Sequence, residues 1–286
     1  MARMRTLAER AEHLLGAAVV STSPVAGGDT CTSTRLRLSD GRSALIKTRA
    51  HAPEGFFEAE ARGLRWLAEP GVVPVAEVLG VQSDCLVLGW VEPSRPNPEA
   101  AGELGRMLAR LHAADCEGFG ADADGFIGSL PLPNKPAPTW PEFFAVRRIL
   151  PYLRLGTDRG QIAPEDAASV EAVVRRIVEL AGPSEPPSRI HGDLWSGNLV
   201  WNAERHGVLV DPAAHGGHRE TDLAMLTLFG LPQQSRVLAT YHEEHPLADG
   251  WEERQPLHQL FPLLVHAAMF GGRYGGLAGD AARKLL

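Results

Sequence analysis

Apolar and polar residues alternate through the first third of the chain, whereas apolar residues recur at helical spacing through most of the remainder. Alternation is typical of strands with one buried face, and recurrence every three or four residues is typical of amphipathic helices. The predicted strands cover residues 19–25, 35–38, 43–48, 75–81 and 85–91. The predicted helices of the same region cover residues 4–15 and 53–67. We therefore expect a small antiparallel sheet with few helices.

From residue 92 onward the pattern is mainly helical. The predicted helices cover residues 98–114, 140–155 and 163–181, followed by a helical tail from residue 232. Residues 115–139 are rich in glycine and proline, and so long an irregular stretch inside a compact domain is usually functional or mobile. Pro93, Pro96 and Pro98 mark the change in pattern. We therefore predict two lobes, residues 1–91 and 92–286.

Composition excludes several classes of function. The net charge of −7 and the pI of about 5.9 disfavour a nucleic-acid partner. No apolar run approaches the ~18 residues of a membrane span, and the N-terminus lacks a signal-peptide core, so we expect a cytoplasmic protein with no membrane partner. Cys31, Cys85 and Cys116 lie too far apart to indicate a zinc site or a disulfide framework.

The densest candidate chemistry lies in His191-Gly-Asp-Leu-Trp-Ser-Gly-Asn198 and in Asp211. Apolar runs at 199–201 and 208–210 flank a polar segment and predict a hairpin that delivers Asp211 to the loop of Asp193 and Asn198. Asp193 can accept the proton of an attacking hydroxyl, while Asn198 and Asp211 offer oxygen ligands to Mg²⁺ on the phosphates of ATP. The Asp-x-x-x-x-Asn spacing matches a kinase catalytic loop. The alternative is a set of turn residues that cap their own backbone.

Lys47 is the candidate nucleotide-binding residue of the predicted sheet. It is one of only three lysines, so its place at the end of an apolar strand requires a cause other than composition. The lysine of the Val-Ala-Ile-Lys strand of kinases contacts the α- and β-phosphates; the alternative is a solvated strand end. Glu60 lies one turn before Leu64, beside the apolar stripe of its helix, where it could turn inward and form an ion pair with Lys47. Glu58 is the solvent-facing alternative, and the family pattern given below favours Glu60.

Backbone groups are predicted to complete the nucleotide site. Gly27 and Gly28 lie in a turn ahead of the Lys47 strand, where backbone N–H groups can cover phosphates; the alternative is a plain β-turn. Gly89, Trp90 and Val91 lie at the junction of the two lobes, a crevice in which adenine would be bound by backbone groups.

The loop after Asp211 contains His215 and His218. No third nitrogen or sulfur ligand accompanies them, so we expect substrate-facing or solvated histidines rather than a zinc site. Asp222 lies in the first turn of the next helix, where the helix dipole favours an acid. We predict that Asp222 bonds to the catalytic-loop backbone and holds Asp193 in position.

Together these residues resemble the fructosamine kinase (ketosamine-3-kinase) family, a branch of the kinase-like aminoglycoside and choline phosphotransferases. The resemblance covers nearly the whole chain and rests on the string from His191 to Asn198, Asp211-Pro-Ala213, Gly217-His-Arg-Glu-Thr-Asp-Leu-Ala-Met225, Phe126-Ile-Gly-Ser-Leu130 and Phe57-x-x-Glu60. It implies an α+β, two-lobed protein-kinase-like fold, with a small antiparallel-sheet N-terminal lobe and a larger, mainly helical C-terminal lobe. It also implies ATP and Mg²⁺, and phosphorylation of the 3-hydroxyl of a ketosamine carried on an amine or a lysine. The unstable product then releases the amine.

The resemblance also implies individual roles. Trp195, in the family-specific Leu-Trp pair, is expected to line the sugar side of the cleft, with His218 as a second substrate residue and His191 as structural support. Cys31 corresponds to a cysteine that some members use in redox-dependent dimerisation, so we expect a monomer or a homodimer. Gly89-Trp90 stands where acidic or other residues are common in the family, which leaves the contacts to adenine open.

Two other hypotheses remain at this stage. A related kinase with an aminoglycoside, choline or sugar acceptor is favoured by a strongly acidic pocket, for which only Glu243-Glu244 and Glu252-Glu253 are available after residue 230. A nucleotide-binding pseudokinase usually lacks a catalytic group, whereas all four of the catalytic and nucleotide-binding side chains named above are present.

Overall fold

A five-stranded antiparallel sheet forms the N-terminal part of this computed structural model, which describes residues 6–26, 30–204 and 206–286. Its strands are β1 Val19–Val25, β2 Thr32–Leu38, β3 Ser43–Thr48, β4 Val78–Gln82 and β5 Cys85–Gly89. They lie in the order β1-β2-β3-β5-β4, so β3 pairs with β2 on one side and β5 on the other.

Helices α1, Leu7–Leu15, and α2, Phe56–Ala68, cover opposite faces of this sheet. Successive residues of a strand point to opposite faces. Ile46 of β3 therefore packs in the apolar cluster that includes Ala11 of α1. Leu45 packs in the cluster that includes Phe57 of α2. Lys47 shares the face of Leu45, so the alternation of β3 directs it toward α2.

Helices make up most of the rest of the chain. They are α3 Pro98–Ala113, α4 Trp140–Phe143, α5 Leu150–Asp158, α6 Pro164–Arg175, α7 Ile177–Leu180, α8 Arg219–Phe229, α9 Gln234–Glu244, α10 Trp251–Phe270 and α11 Tyr274–Arg283. Short antiparallel strand pairs lie between them: β6 Gly125–Ile127 with β7 Leu130–Leu132, β8 Ser188–Ile190 with β11 His215–Gly217, and β9 Leu199–Trp201 with β10 Gly207–Leu209.

Most predicted elements are present, and the differences have local causes. The strand predicted over 35–38 begins earlier, at Thr32, because pairing with β3 continues to the Thr32–Thr48 pair. The helix predicted over 140–155 is interrupted by a π-helix over Phe144–Ile149. Pro151 follows it, and its ring clashes with the carbonyl four residues earlier while offering no N–H. Leu150 N–H instead reaches back to Ala145 O, the longer bond of a π-turn.

The stretch 115–139, predicted to be irregular, contains the β6–β7 hairpin. The ring of Phe126 in β6 packs against Phe56 of α2, with centroids 5.1 Å apart. At the hairpin turn Gly128 has φ +54°, and a Cβ on it would come within 2.5 Å of Met269 Cε in α10. The hairpin therefore contacts α2 on one side and α10 on the other.

The predicted boundary after residue 91 remains a prediction. One apolar cluster extends across it, since Leu67 and Val73 pack with Leu104 and Leu223. Within the described ranges, no helix combines the length and apolar character needed to span a membrane.

The close packing of α3 against α9 gives a stability prediction at Gly105. A Cβ there would overlap Thr240 Oγ1 and Val237 O. We expect Gly105→Ala to lower the free energy of unfolding by about 2 kcal/mol, even though alanine favours a helix over glycine by about 1 kcal/mol. Chemical denaturation measures the change.

The matched control is Gly276→Ala in α11, where an added Cβ would meet nothing within 4 Å. We expect this variant to be neutral or stabilised by up to about 1 kcal/mol. A Gly105→Ala protein as stable as the wild type would contradict the close packing of the two helices.

Candidate active site

Lys47 lies buried between two carboxylates from distant parts of the chain. Its Nζ donates to both oxygens of Glu60 at 2.8 Å and to Asp211 Oδ1 at 2.6 Å. The predicted ion pair between Lys47 and Glu60 is therefore confirmed. Burial lowers the pKa of Lys47, but the negative charges of Glu60 and Asp211 outweigh burial and raise it above its ordinary value. The ammonium group therefore stays charged.

The β9–β10 hairpin delivers Asp211 to this lysine, as the sequence predicts. Leu209 N–H donates to Pro74 O at 2.9 Å, which attaches the hairpin to the segment leading into β4. Asp211 itself has φ +52°, in the left-handed region that costs a residue with a side chain about 1–2 kcal/mol. Burial raises the pKa of Asp211, but the charge and the hydrogen bond of Lys47, together with its other neighbours, outweigh burial and hold that pKa below its usual value. Asp211 is therefore held as a carboxylate.

Asp193 and Asn198 form the second part of the site. Asn198 Nδ2 donates to Asp193 Oδ2 at 2.8 Å and to Asp193 O at 2.9 Å, with a longer contact of 3.4 Å to Asp211 O. Burial raises the pKa of Asp193 to about 7, against the opposing hydrogen bond from Asn198. The structure thus brings an acid, an amide and a second acid together, and directs the amide nitrogen at Asp193.

A buried acid supports the loop that carries Asp193. Asp222 in α8 accepts from His191 N at 2.7 Å and from Gly192 N at 2.9 Å, so the predicted bond to the catalytic-loop backbone is present. The same carboxylate is 3.2 Å from His112 Nε2, and His112 Nδ1 is 2.9 Å from the hydroxyl of Tyr241. Burial raises the pKa of Asp222, but the hydrogen bonds and charges of His112 and His191 together outweigh burial and lower it.

His191 contributes to the same loop through both ring nitrogens. Its Nε2 lies 2.8 Å from Val210 O, and its Nδ1 accepts from Asp193 N at 3.2 Å. The carbonyl can only accept, so Nε2 carries the proton. The ring therefore connects the Asp193 loop to the residue before Asp211.

These groups open into a cavity of about 1360 Å³ whose lining includes Lys47, Asp193, Asn198 and Asp211. Trp195 also lines it and is 39% exposed. The indole ring covers Gly197, where any Cβ would overlap it, so a side chain at this position would displace the tryptophan.

The structure places His218 away from the cavity. Its side chain is buried, its Nδ1 accepts from Glu220 N at 3.2 Å, and its ring packs against Trp140 with centroids 4.9 Å apart. His218, Glu220 and His258 bring possible metal-ligand atoms within 4.8 Å of one another. Arg254, however, donates to both oxygens of Glu220, at 2.6 and 3.1 Å, so a cation already occupies this carboxylate. The position of His218 corrects the expectation that it faces the substrate.

The predicted adenine-binding residues also lie outside the cavity lining. Gly89 N–H donates to Glu77 O at 2.8 Å and Trp90 N–H to Ser43 O at 3.3 Å, so both donors are engaged within the sheet. The indole N–H of Trp90 donates to Glu92 at 2.8 Å, and the guanidinium of Arg35 lies 4.4 Å from the ring centroid. Adenine recognition by Gly89, Trp90 and Val91 therefore remains a prediction, and the first two cannot serve as donors in this arrangement.

Two further predictions concern the glycine-rich turn. Gly27 and Gly28 lie outside the described residues. Cys31 lines the cavity, and burial raises the pKa of its thiol, which disfavours the reactive thiolate.

Sequence reasoning missed the residues that join the cavity walls. Arg148 is 1% exposed, and in the described part of the chain no carboxylate forms an ion pair with it. Its guanidinium donates to Pro133 O at 2.6 Å, Asn134 Oδ1 at 2.6 Å and His215 Nε2 at 3.3 Å. His215 in turn lies 2.8 Å from Ala213 O through Nδ1. The sequence feature that could have identified Arg148 is the presence of an arginine inside the apolar pattern of residues 140–155.

Two further groups of residues line the cavity, and of their members only Trp195 was predicted. The acidic wall comprises Glu69, Asp115, Glu117, Asp122 and Asp124. The aromatic recess comprises Trp195, Phe229, His266, Phe270 and Tyr274. Both assemble from segments that are far apart along the chain.

Comparisons with known proteins agree on one family. The family model for fructosamine kinase matches residues 3–286. A probable ketoamine kinase of Thermus thermophilus is 40% identical over 255 residues, which is 88% of this chain and 89% of that protein. The crystal structure of a fructosamine-3-kinase homologue from Thermobifida fusca aligns with a TM-score of 0.94 and 47% identity, covering 98% of each chain.

A more distant comparison concerns the fold. Choline kinase of Streptococcus pneumoniae aligns with a TM-score of 0.65 at 16% identity, covering 97% of this chain and 96% of that one. The predicted two-lobed, protein-kinase-like α+β fold is confirmed.

Because Asp222 accepts hydrogen bonds from the backbone of the Asp193 loop, we predict that replacing it lowers the stability of the protein. In Asp222→Asn one of the two backbone N–H groups meets an amide NH₂ instead of an acceptor, and a buried charge-assisted bond is lost. We expect the free energy of unfolding to fall by about 2–4 kcal/mol, measured by denaturation. The control, Asp280→Asn on an exposed turn of α11, should change it by less than about 0.5 kcal/mol. Equal stability of Asp222→Asn and wild type would contradict the supporting role.

Proposed function

This chain belongs to the fructosamine kinase family, and we propose that Lys47, Asp193, Asn198 and Asp211 carry out its reaction, the transfer of the γ-phosphoryl group of ATP to the 3-hydroxyl of a ketosamine. The observation that carries the proposal is the 2.6 Å contact between Lys47 Nζ and Asp211 Oδ1, which joins residues 164 positions apart in one cavity with Asp193.

Asp193 acts as the base. The hydroxyl oxygen of the acceptor forms a bond to the γ-phosphorus, the bond from that phosphorus to the ADP oxygen breaks, and the hydroxyl proton passes to Asp193 Oδ1 or Oδ2. Asn198 fixes the orientation of the carboxylate, since its amide donates to Oδ2 at 2.8 Å. A base whose pKa lies near 7 is matched to proton transfer at neutral pH.

The remaining side chains fit a nucleotide and its metal ion. The side-chain nitrogen of Asn198 donates hydrogen bonds to Asp193 and Asp211, and its Oδ1 has no hydrogen-bond partner in the described ranges. This oxygen and the carboxylate of Asp211 are therefore the two candidate metal ligands. Carboxylate and amide oxygens are ligands suited to Mg²⁺, which when bound would neutralise charge on the ATP phosphates. Lys47, held by Glu60, supplies a fixed positive charge for the same phosphates.

A small-molecule ketosamine fits the acceptor side, with Trp195 as the wall against the sugar. Phosphorylation at the 3-hydroxyl destabilises the ketosamine and releases its amine, so the reaction serves deglycation. Cytoplasmic location and a monomeric or dimeric state remain predictions.

A second candidate acceptor is a polycation such as an aminoglycoside. The acidic wall favours it, because its five carboxylates line the cavity in addition to Glu60, in a part of the chain where no acidic pocket was predicted. Two arginines offset part of this charge: Arg189 forms an ion pair with Glu69 at 2.8 Å, and Arg62 also lines the wall. ATP consumption with ketosamines and with aminoglycosides, and phosphorus NMR of the product, separates the two acceptors.

Asp193→Asn tests the base. The amide cannot accept the hydroxyl proton, so we expect kcat with a fructosamine to fall by about 10²–10⁴-fold, with the affinity for ATP changed little. Turnover is followed by ADP release, and ATP affinity by calorimetry. Unchanged kcat would remove Asp193 from this role.

Asp211→Ala tests the metal site. We expect ATP to bind the wild type at least tenfold more tightly with Mg²⁺ than without it, an advantage of about 1.4 kcal/mol, and the variant to lose most of this difference. Asp280→Asn serves as the control, because its exposed carboxylate lies outside the cavity lining. A variant that retains the full effect of Mg²⁺ would contradict the assignment.

A further inference from the structure

The aromatic recess offers accessible ring surface inside the cavity. The rings of Trp195 and Phe229 meet edge to face with centroids 6.2 Å apart, and Phe229 lies 4.8 Å from His266. His266 in turn lies 5.5 Å from Phe270 and 5.0 Å from Tyr274. Phe270 is 50% exposed, a high value for a phenylalanine on a cavity wall. Large apolar rings that remain accessible in this way mark binding surfaces.

Local contacts bring these rings together. Trp195 lies over Gly197, where the absence of a Cβ makes room for the indole ring. His266 Nδ1 lies 2.7 Å from Pro262 O, one turn earlier in α10. Phe270 is one turn later on the same helix, so helical spacing places it beside His266.

The acidic wall and the aromatic recess differ in chemistry and in the segments of the chain that build them. The acidic wall is built from the end of α2 and residues 115–124, and Arg189 already forms an ion pair with its Glu69 at 2.8 Å. The recess begins at Trp195, two residues after Asp193. Val265 and Met269 complete its described lining, which has neither a carboxylate nor a guanidinium group.

The covalent structure of a ketosamine indicates which part of the cavity receives the substituent on its amine. The amine nitrogen is on C1, two carbons from the phosphorylated 3-hydroxyl, so it must lie close to Asp193 during the reaction. Lys47 and Asp211 are committed to the nucleotide side under the proposed function. The next cavity-lining residue along the chain from Asp193 is Trp195, so under this proposal the path of the amine substituent away from the reacting centre runs past Trp195.

We propose that the aromatic recess binds the amine substituent of the ketosamine and selects substrates whose substituent is apolar, aryl or branched alkyl, over substrates in which it carries a second positive charge. The inference rests on the proposed function and specifies its substrate class. Apolar contact with Phe229 and Phe270 stabilises the bound substrate, whereas an added ammonium group loses hydration there without gaining a carboxylate partner.

The test uses three fructosamines with the same sugar, made from benzylamine, methylamine and ethylenediamine. For the wild type we expect kcat/KM to be at least tenfold higher with the benzylamine compound than with the ethylenediamine compound, a difference of about 1.4 kcal/mol. Phe270→Ala should remove most of this preference, mainly through KM for the benzylamine compound. It should change kcat/KM for the methylamine compound less than twofold.

Phe270 is half exposed, so its replacement should not impair folding; Phe229→Leu provides a second variant that keeps apolar volume but loses the ring. Val178→Ala, at a 78% exposed position of α7 outside the cavity, is the control and should leave all three values unchanged. Three results would overturn the inference but not the proposed function. They are equal kcat/KM of the wild type for all three compounds, a higher kcat/KM for the ethylenediamine compound, and an equal loss of kcat/KM with every compound in Phe270→Ala. Failure of the wild type to phosphorylate any of the three would overturn the proposed function and this inference with it.

Discussion

A single buried cation fixes the arrangement of the site. Lys47 comes from the sheet, Glu60 from the helix that covers it, and Asp211 from a hairpin 164 positions later. Lys47 and Glu60 are both almost fully buried, and a buried charge left without its partner costs several kcal/mol, so this ion pair holds the sheet and α2 together, and Asp211 extends it to the hairpin. The left-handed backbone of Asp211 is tolerated for the same reason, since the ion pair outweighs about 1–2 kcal/mol of local strain.

Behind the site, the C-terminal region satisfies its buried polar groups by shared partners. Asp222 serves two backbone donors and a histidine, and Arg148 serves three carbonyl or amide oxygens and a second histidine. Burial lowers the pKa of Arg148 to about 9, and the nearby Tyr152 and Asp124 oppose this shift only in part. Hydrogen bonds to segments that line the cavity offset the cost of burying the Arg148 guanidinium. Replacing Arg148 would therefore disturb both the loop of Ala213 and the wall around Asn134.

Alternation along a strand is a local property, and it was sufficient to predict the strand that ends at Lys47. Glu60 was preferred to Glu58 as its partner largely because the family pattern favours it. The sequence was also sufficient to predict the loop from His191 to Asn198 and the hairpin that leads to Asp211, because turn residues and short apolar runs define both. Other features depend on contacts between distant segments. The burial of His218 depends on Trp140, the β8–β11 pair has only three residues per strand, and the aromatic recess combines side chains from a loop and three helices. A single sequence carries no periodic signal for such contacts.

The β6–β7 hairpin has a mechanical consequence. Phe126 packs on Phe56 of α2, and Gly128 lies against Met269, the residue beside Phe270. The helix that supplies Glu60 and the helix that supplies Phe270 are therefore both packed on this one hairpin. The two ends of the cavity, one for the nucleotide and one for the acceptor, share it as a common support.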